Sequence, residues 1–303
     1  MKTIIPNYYE KFKCIADKCN HNCCIGWEID IDENTLKKYE KYKGKFSKEL
    51  NDGIDFNDDY ACFKLDGKGR CAFLNKDNLC DIILTLGENS LCQICSDHPR
   101  FRNFYKNATE IGLGLCCEEA GRIILGQEEK FELIISEKRG KLTDEEEVFF
   151  DYKYSILHNL QNKEYSLKDK VSVLLKDNDI ELSTTNFSLW IDFYLSLERL
   201  DEGWTNLLQN MKSTDFNDVI LPEKYDEVFE KMLLYFIYRH LEDVDEYMVH
   251  FAVFCVYFIS QICRYHIKKY GNLKIEDIVE YARMYSSEIE YSDENITKIY
   301  NKL

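Results

Sequence analysis

Only three prolines and thirteen glycines interrupt the 303 residues. That scarcity excludes a collagen-like or low-complexity chain and points to a mainly helical body. Basic residues are also short: 39 Lys and Arg stand against 55 Asp and Glu, for a net charge of −16. A surface of that sign repels phosphate backbones and anionic lipid, which argues against nucleic acid and membrane as partners and favours a basic, lysine-bearing protein. The longest apolar run, Phe251 to Ile259, stops well short of a membrane span. No apolar signal segment follows Met1-Lys2-Thr3-Ile4-Ile5-Pro6, so the expected compartment is the cytoplasm, where thiols stay reduced.

What the chain has in excess is cysteine, concentrated in one place. Eleven of the thirteen cysteines fall between Cys14 and Cys117. They come in groups: Cys14, Cys19 and Cys23-Cys24; Cys62, Cys71 and Cys80; Cys92-Gln-Ile-Cys95, followed by His98-Pro99-Arg100; and Cys116-Cys117. Thiolates a few residues apart can converge on one centre while distant groups close its shell, which is how metal sites are delivered. A disulfide framework suits small secreted chains instead. Cys255 and Cys263 read as buried small hydrophobes, and Cys62 fits that role as well. The expected ligands are therefore drawn from Cys14, Cys19, Cys23, Cys24, Cys71, Cys80, Cys92, Cys95, Cys116 and Cys117. So many thiols exceed what one tetrahedral zinc uses, so the sequence leans to a 4Fe-4S cluster with zinc as the alternative.

The expected architecture is mainly α, with a small cysteine-rich metal-binding domain carrying short strands over residues 1–125 and an α-helical bundle over 126–303. Ile25-Gly-Trp-Glu-Ile-Asp-Ile-Asp32 alternates apolar with acidic residues like a half-buried strand. A helix capped by Asp32 follows over 33–45. The polar stretch Asn51 to Asp59 reads as a loop, and Cys71 to Cys80 as a hairpin turning at Lys76-Asp77-Asn78. Thr143-Asp-Glu-Glu146 and Ser166-Leu-Lys-Asp169 are helix-start boxes. Further helices are expected over 188–198, 202–211, 222–241, 244–269 and 275–288. The fourth of these, apolar nearly all round, is expected at the centre of the bundle.

Cys14…Cys19…Cys23-Cys24, Cys71-Ala-Phe-Leu…Cys80-Asp-Ile and Cys95-Ser-Asp-His-Pro99 together resemble the cysteine pattern of the YkgJ/FliB group of zinc- or iron-chelating proteins. Cys92, the Cys23-Cys24-Ile-Gly-Trp27 turn and Gly112-Leu-Gly-Leu-Cys-Cys117 are similar, more narrowly, to the flagellin lysine-N-methylase branch. This resemblance covers roughly residues 1–125. It implies transfer of methyl groups from S-adenosylmethionine to lysines of flagellin, with a 4Fe-4S cluster implicated in the activity. Cys19-x3-Cys23 is followed by Gly26 where a third cysteine would complete a radical S-adenosylmethionine motif, which speaks against a conventional radical enzyme. Gly112-Leu-Gly114 before Glu119-Ala-Gly-Arg-Ile-Ile124 is a fragment of a nucleotide-binding turn, but no strand is expected before it.

Among other residues, His21 and His98 lie within ligand reach of their neighbouring cysteines. Arg100 and Arg102 either offset thiolate charge or grip a cofactor carboxylate. Tyr235, Tyr238 and His240 fall at helical spacing, with Tyr247, His250 and Tyr257 on the next helix. Facing one another they would form an aromatic pocket for a lysine ammonium; otherwise they are core aromatics. A methylase needs its lysine neutral, so Tyr235, Tyr238 and His240 are the catalytic candidates. The alternative to a methylase is a metal-binding module with a structural, redox or partner-binding role.

Overall fold

Lys2–Pro6 forms strand β1, with Ile4 and Pro6 turned into the core. The computed structural model describes residues 1–56, 60–136, 140–178, 180 and 187–303. It divides the chain into a small unit, Lys13–Arg100, and a larger one made of Met1–Phe12 with Phe101–Leu303. The expected boundary at residue 125 falls inside the larger unit, within a helix.

The small unit contains β2 (Asp30–Ile31), α1 (Glu33–Lys41), α2 (Ser47–Asp52), β3 (Ile54–Phe56), β4 (Ala61–Phe63), α3 (Asp81–Leu86) and α4 (Gln93–Asp97). Its strands lie in the order β2-β4-β3. The alternation read over residues 25–32 survives as burial, with Ile29 and Ile31 inside, although only Asp30–Ile31 joins the ladder. Asp32 caps α1 by accepting from Thr35 N at 3.0 Å, and its other oxygen accepts from Gln93 N at 2.8 Å, so one carboxylate ties the starts of α1 and α4. The stretch read as a loop from Asn51 instead supplies the end of α2 and strand β3; its residues 57–59 lie outside the described residues. Phe63 and Phe73, 5.0 Å apart edge to face, pack among Ile29, Tyr39, Leu50 and Ile82 in a core separate from that of the larger unit.

In the larger unit, β5 (Arg100–Phe104), β6 (Ala108–Leu113) and β7 (Leu133–Ile135) join β1 in the order β5-β6-β1-β7, with β1 and β6 parallel. Helices α5 (Glu118–Gly126), α6 (Asp144–Leu160), α7 (Leu167–Asp177), α8 (Phe187–Ser196), α9 (Glu202–Lys212), α10 (Asp226–His240), α11 (Glu246–Tyr270), α12 (Ile275–Tyr285) and α13 (Asp293–Tyr300) follow. The fold is mainly α. Residues 101–125 belong here because β6 is held by β1 and α5 packs against α10 and α12; a side chain at Gly121 would come within 3.1 Å of Val279. Thr143 and Glu146 close a reciprocal capping box at α6, and Ser166 accepts from Asp169 N at α7. α11 is long and apolar enough for a membrane span by length and composition, beyond what the run Phe251 to Ile259 suggests, yet 67% of its apolar 18-residue stretch is buried. It is the central helix of the bundle.

Candidate metal centre and buried polar cluster

Local backbone geometry presents the thiols. The loop at Cys23-Cys24 lies against residues 69–71: Cys71 N donates to Cys24 O and Gly26 N to Gly69 O, both at 2.9 Å. Gly26, at φ 93°, and Gly69, at φ 72°, supply the left-handed backbone this close approach needs. The hairpin from Cys71 to Cys80 forms as expected. Leu74 pairs with Cys80, and the turn is closed by Asn75, whose Oδ1 accepts from Asp77 N and Leu79 N. Cys71 and Cys92 sit inside the small core, with Cys24, Cys80 and Cys95 packed against it.

Six thiols lie near enough to perturb one another electrostatically: Cys23, Cys24, Cys71, Cys80, Cys92 and Cys95. Burial pushes Cys71 up to about 11, helped by the nearby Cys80 and Cys92. Cys80 is raised by burial. Cys24 is raised by its hydrogen bond to Cys23, by burial and by Cys71 and Cys80, while Cys95 is raised by its bond to Cys92, by burial and by the same two thiols. The partners Cys23 and Cys92 are lowered by those shared hydrogen bonds. Cys71 accepts from the N–H groups of Phe73 and Leu74, and Cys80 from those of Ile82 and Ile83, the N–H···S pattern that steadies thiolate ligands. Among the described residues no three His, Cys, Asp or Glu side chains form a group that could hold a metal ion. The donor chemistry is still that of a thiolate site: Cys24, Cys71, Cys80 and Cys95 hold their protons more tightly than a free thiol, and a cation would be needed before these four became thiolates together.

The other expected ligands are placed differently. Cys14 is exposed and accepts from Ala16 N at 3.4 Å, and Cys19 donates to His21 O at 2.9 Å. Cys62 lies between Asp30 and Asp55 in the three-stranded sheet, raised by burial and by Glu28. His98 is held neutral at pH 7, lowered to about 4 by burial and Arg100, whose Nη1 donates to Ser96 O at 3.3 Å. Arg102 belongs to the larger unit, half-buried on β5.

Cys116 and Cys117, grouped by sequence with the metal set, also lie in the larger unit, at the turn between β6 and α5. A strand therefore does precede this turn, contrary to expectation. It was illegible locally because β6 owes its extension to β1, more than a hundred residues away. Cys116 is pushed up to about 12 by burial and is bonded to Tyr291 beside Arg239 and Glu290.

That carboxylate organises a buried cluster. Glu290 ends a π-turn, Ser286–Glu290, a distortion found often at functional sites. It accepts from Tyr235 Oη at 3.0 and 2.9 Å, faces Arg239 Nε at 3.2 Å and meets His240 Nε2 at 2.6 Å. Burial alone would raise its pKa, but Arg239 and His240 pull it down to about 2. His240 is lowered by burial against the opposing pull of Glu290. Of the three catalytic candidates, Tyr235 and His240 thus meet at one carboxylate, and Tyr238 does not. The Tyr235 hydroxyl is also saturated, accepting from Leu115 N at 3.1 Å and Arg239 Nη1 at 2.8 Å. Tyr238 Oη donates to the carbonyls of Ile4 and Ile111. The facing aromatic pocket is not formed: Tyr247 packs on Tyr300, and Tyr257 on Phe187 and Phe254. Glu290 was missed because nothing in Glu288-Ile-Glu290 distinguishes it from a helix-surface acid. A second buried pair, Lys153–Glu110 at 2.6 Å, was missed for the same reason.

The larger unit is also where a known family is matched: the FliB lysine N-methylase C-terminal domain, over residues 100–303. The chain belongs to the FliB lysine N-methylase family. A lysine-N-methylase of Salmonella typhimurium is 34% identical to it over 139 residues, 44% of this chain and 34% of that protein. The flagellar biosynthetic protein FliU of Salmonella muenchen is 34% identical over 126 residues, 40% of this chain and 75% of that protein. The chain therefore spans about a third of the length of the first relative. No solved structure matches. The FliB match starts where the small unit ends, so the six-thiol neighbourhood lies outside it.

Cys255 and Cys263 are fully buried in α11, and Cys255 Sγ accepts from Tyr285 Oη at 3.2 Å. Alanine at either position is expected to leave the metal content of this FliB-family chain unchanged, checked by elemental analysis. Loss of metal from either would overturn the separation of thiols between the two units.

Proposed function

We propose that this chain is a protein-lysine N-methylase that takes its methyl group from S-adenosylmethionine and acts on flagellin in the cytoplasm. The observation that carries the reading is the family match over residues 100–303, which takes in all of the larger unit except Met1–Phe12, reinforced by relatives named for lysine methylation and flagellar biosynthesis. The small unit's contribution is a thiol-ligated centre, a 4Fe-4S cluster in preference to zinc, because six thiols share one neighbourhood. Cys24, Cys71, Cys80, Cys92 and Cys95 are the residues best placed to hold it, being packed in or against the small core. Such a cluster, when bound, supplies electron transfer or an open iron site for a cofactor's amino and carboxylate groups. Arg100, at the end of the small unit, is the guanidinium group offered to that carboxylate or to the thiolate charge.

Within the larger unit, the Glu290–Arg239–His240–Tyr235 cluster holds the last turn of α10 to the β6–α5 turn, and so positions Cys116 and the partly exposed Tyr291. His240 is kept neutral by burial and orientated by Glu290, an arrangement able to accept a proton.

Anaerobic purification with metal analysis, then incubation with S-adenosylmethionine and flagellin, tests the proposal. The expected result is a brown, iron- and sulfide-containing protein and a gain of about 14 Da on flagellin lysines for each methyl that replaces a hydrogen. A colourless protein with stoichiometric zinc and no methyl-lysine would instead support a metal-binding module without methylase activity.

A further inference from the structure

A cleft of about 670 Å³ opens in the larger unit between the segment after α5, the α6–α7 connection and the first turns of α10. Its apolar walls come from Ile124, Phe131, Leu167 and Leu234, with the rings of Tyr8 and Tyr235. Two polar groups on this lining have no protein partner: Tyr8 Oη and Gln127 Oε1. Both residues are buried, at 1% and 9% exposure, so these atoms are withheld from bulk water without a protein hydrogen bond in return. Such orphaned groups are costly to keep, which is the mark of a site awaiting a ligand. The side-chain amide of Gln127 is orientated by Asn7, whose Oδ1 accepts from Gln127 Nε2 at 3.4 Å. That leaves its carbonyl oxygen for another donor.

The charged groups of the lining nearly cancel. Lys170 and Lys231 are tied to Glu230 and Glu227 at 2.5 and 2.9 Å, and Lys130 and Lys163 stand with Glu128, Glu129 and Asp226 at the same cleft. An apolar channel with little net charge and neutral acceptors on its walls suits an alkyl chain that ends in an uncharged primary amine.

We infer that this cleft receives the side chain of a lysine from a protein partner, its amine donating to Gln127 Oε1 and Tyr8 Oη; the identity of the occupant rests on the lysine-methylase reading. Tyr8 and Gln127 then act as specificity-determining residues. Two neutral acceptors engage the two N–H bonds of an uncharged amine and leave its lone pair open, whereas an ammonium loses hydration without gaining a counter-charge on its nitrogen. The site therefore favours the neutral form that methylation requires.

The test titrates Nα-acetyl-lysine methylamide, and its norleucine counterpart lacking the amine, into the full chain, with binding read by NMR. The lysine probe is expected to bind and the norleucine probe to bind about tenfold more weakly. Tyr8→Phe and Gln127→Leu should each weaken the lysine probe by about tenfold. Tyr8→Phe should melt no lower than the wild type, because it deletes an orphan hydroxyl and keeps the ring; it decides the matter if Gln127→Leu fails to fold. Unchanged lysine binding in Tyr8→Phe, or none in the wild type, overturns the assignment, and methyl transfer to flagellin by the same preparation would then leave the methylase reading standing. Amine-dependent binding weakened by Tyr8→Phe, with no methyl transfer to any protein, would support the cleft and remove the methylase reading instead.

Discussion

Alanine in place of Cys71, Cys80 or Cys95 is expected to give a protein that purifies with little metal and whose small unit melts about 10 °C lower or more. These thiols are packed in or against the core around Phe63 and Phe73, so a centre they hold is part of that core. The unit has few other resources: short strands, four helices of nine residues or fewer among its described residues, and long connections between them. With thiols that raise one another's pKa, the unmetallated unit keeps the protons on most of them, whereas the metallated unit gains binding energy available only to the folded state. Elemental analysis and calorimetry of each variant check this. A chelator that verifiably strips the metal without moving the melting curve would falsify the coupling of metal to folding.

The second large effect is expected at Glu290. Glu290→Ala leaves Arg239 buried without its carboxylate and Tyr235 without its acceptor, and loss of one partner from such a buried pair costs about 3–5 kcal/mol. The effect on pH follows from the same contacts. Glu290 titrates at about 2 when folded against its ordinary 4.5, so it adds stability at any pH above 4.5 and that contribution disappears as pH falls from 4.5 to 2. The shift corresponds to about 3 kcal/mol. His240 acts in the same direction, because its lowered pKa makes the unfolded chain the better proton acceptor once pH drops below its ordinary 6.5. Urea melts of the wild type from neutral to acid pH should show the larger unit losing stability steadily. Glu290→Gln should start less stable and show a shallower acid slope. A wild-type stability flat over that range would count against the ion pair as drawn.

Legibility in the sequence followed how local each cause was. Asp32, Thr143 and Ser166 act on N–H groups three residues away, so these three helix starts were readable to within a residue. The central helix was readable because apolar residues on every face suit only the middle of a bundle. The nearness of Cys23-Cys24, Cys71, Cys80 and Cys92-x2-Cys95 to one another was suggested by their grouping, since each pair sits on one turn or hairpin. Cys116-Cys117 had the same appearance and a different fate. Only the parallel pairing of β6 with β1, and the packing of α5 on α12, placed those two thiols in the larger unit.

By itself, then, the sequence determined the helical character, the local caps and turns, the thiol-rich composition and the acidic surface, all properties of residue type or of neighbours within a few positions. Tertiary structure alone decided where the units divide, that Glu290 joins Tyr235, Arg239 and His240 from some fifty residues away, and that Tyr8 and Gln127 line one cleft. The physical reason is that a buried charge or an orphaned hydroxyl takes its meaning from what surrounds it, and those surroundings are assembled from distant parts of the chain.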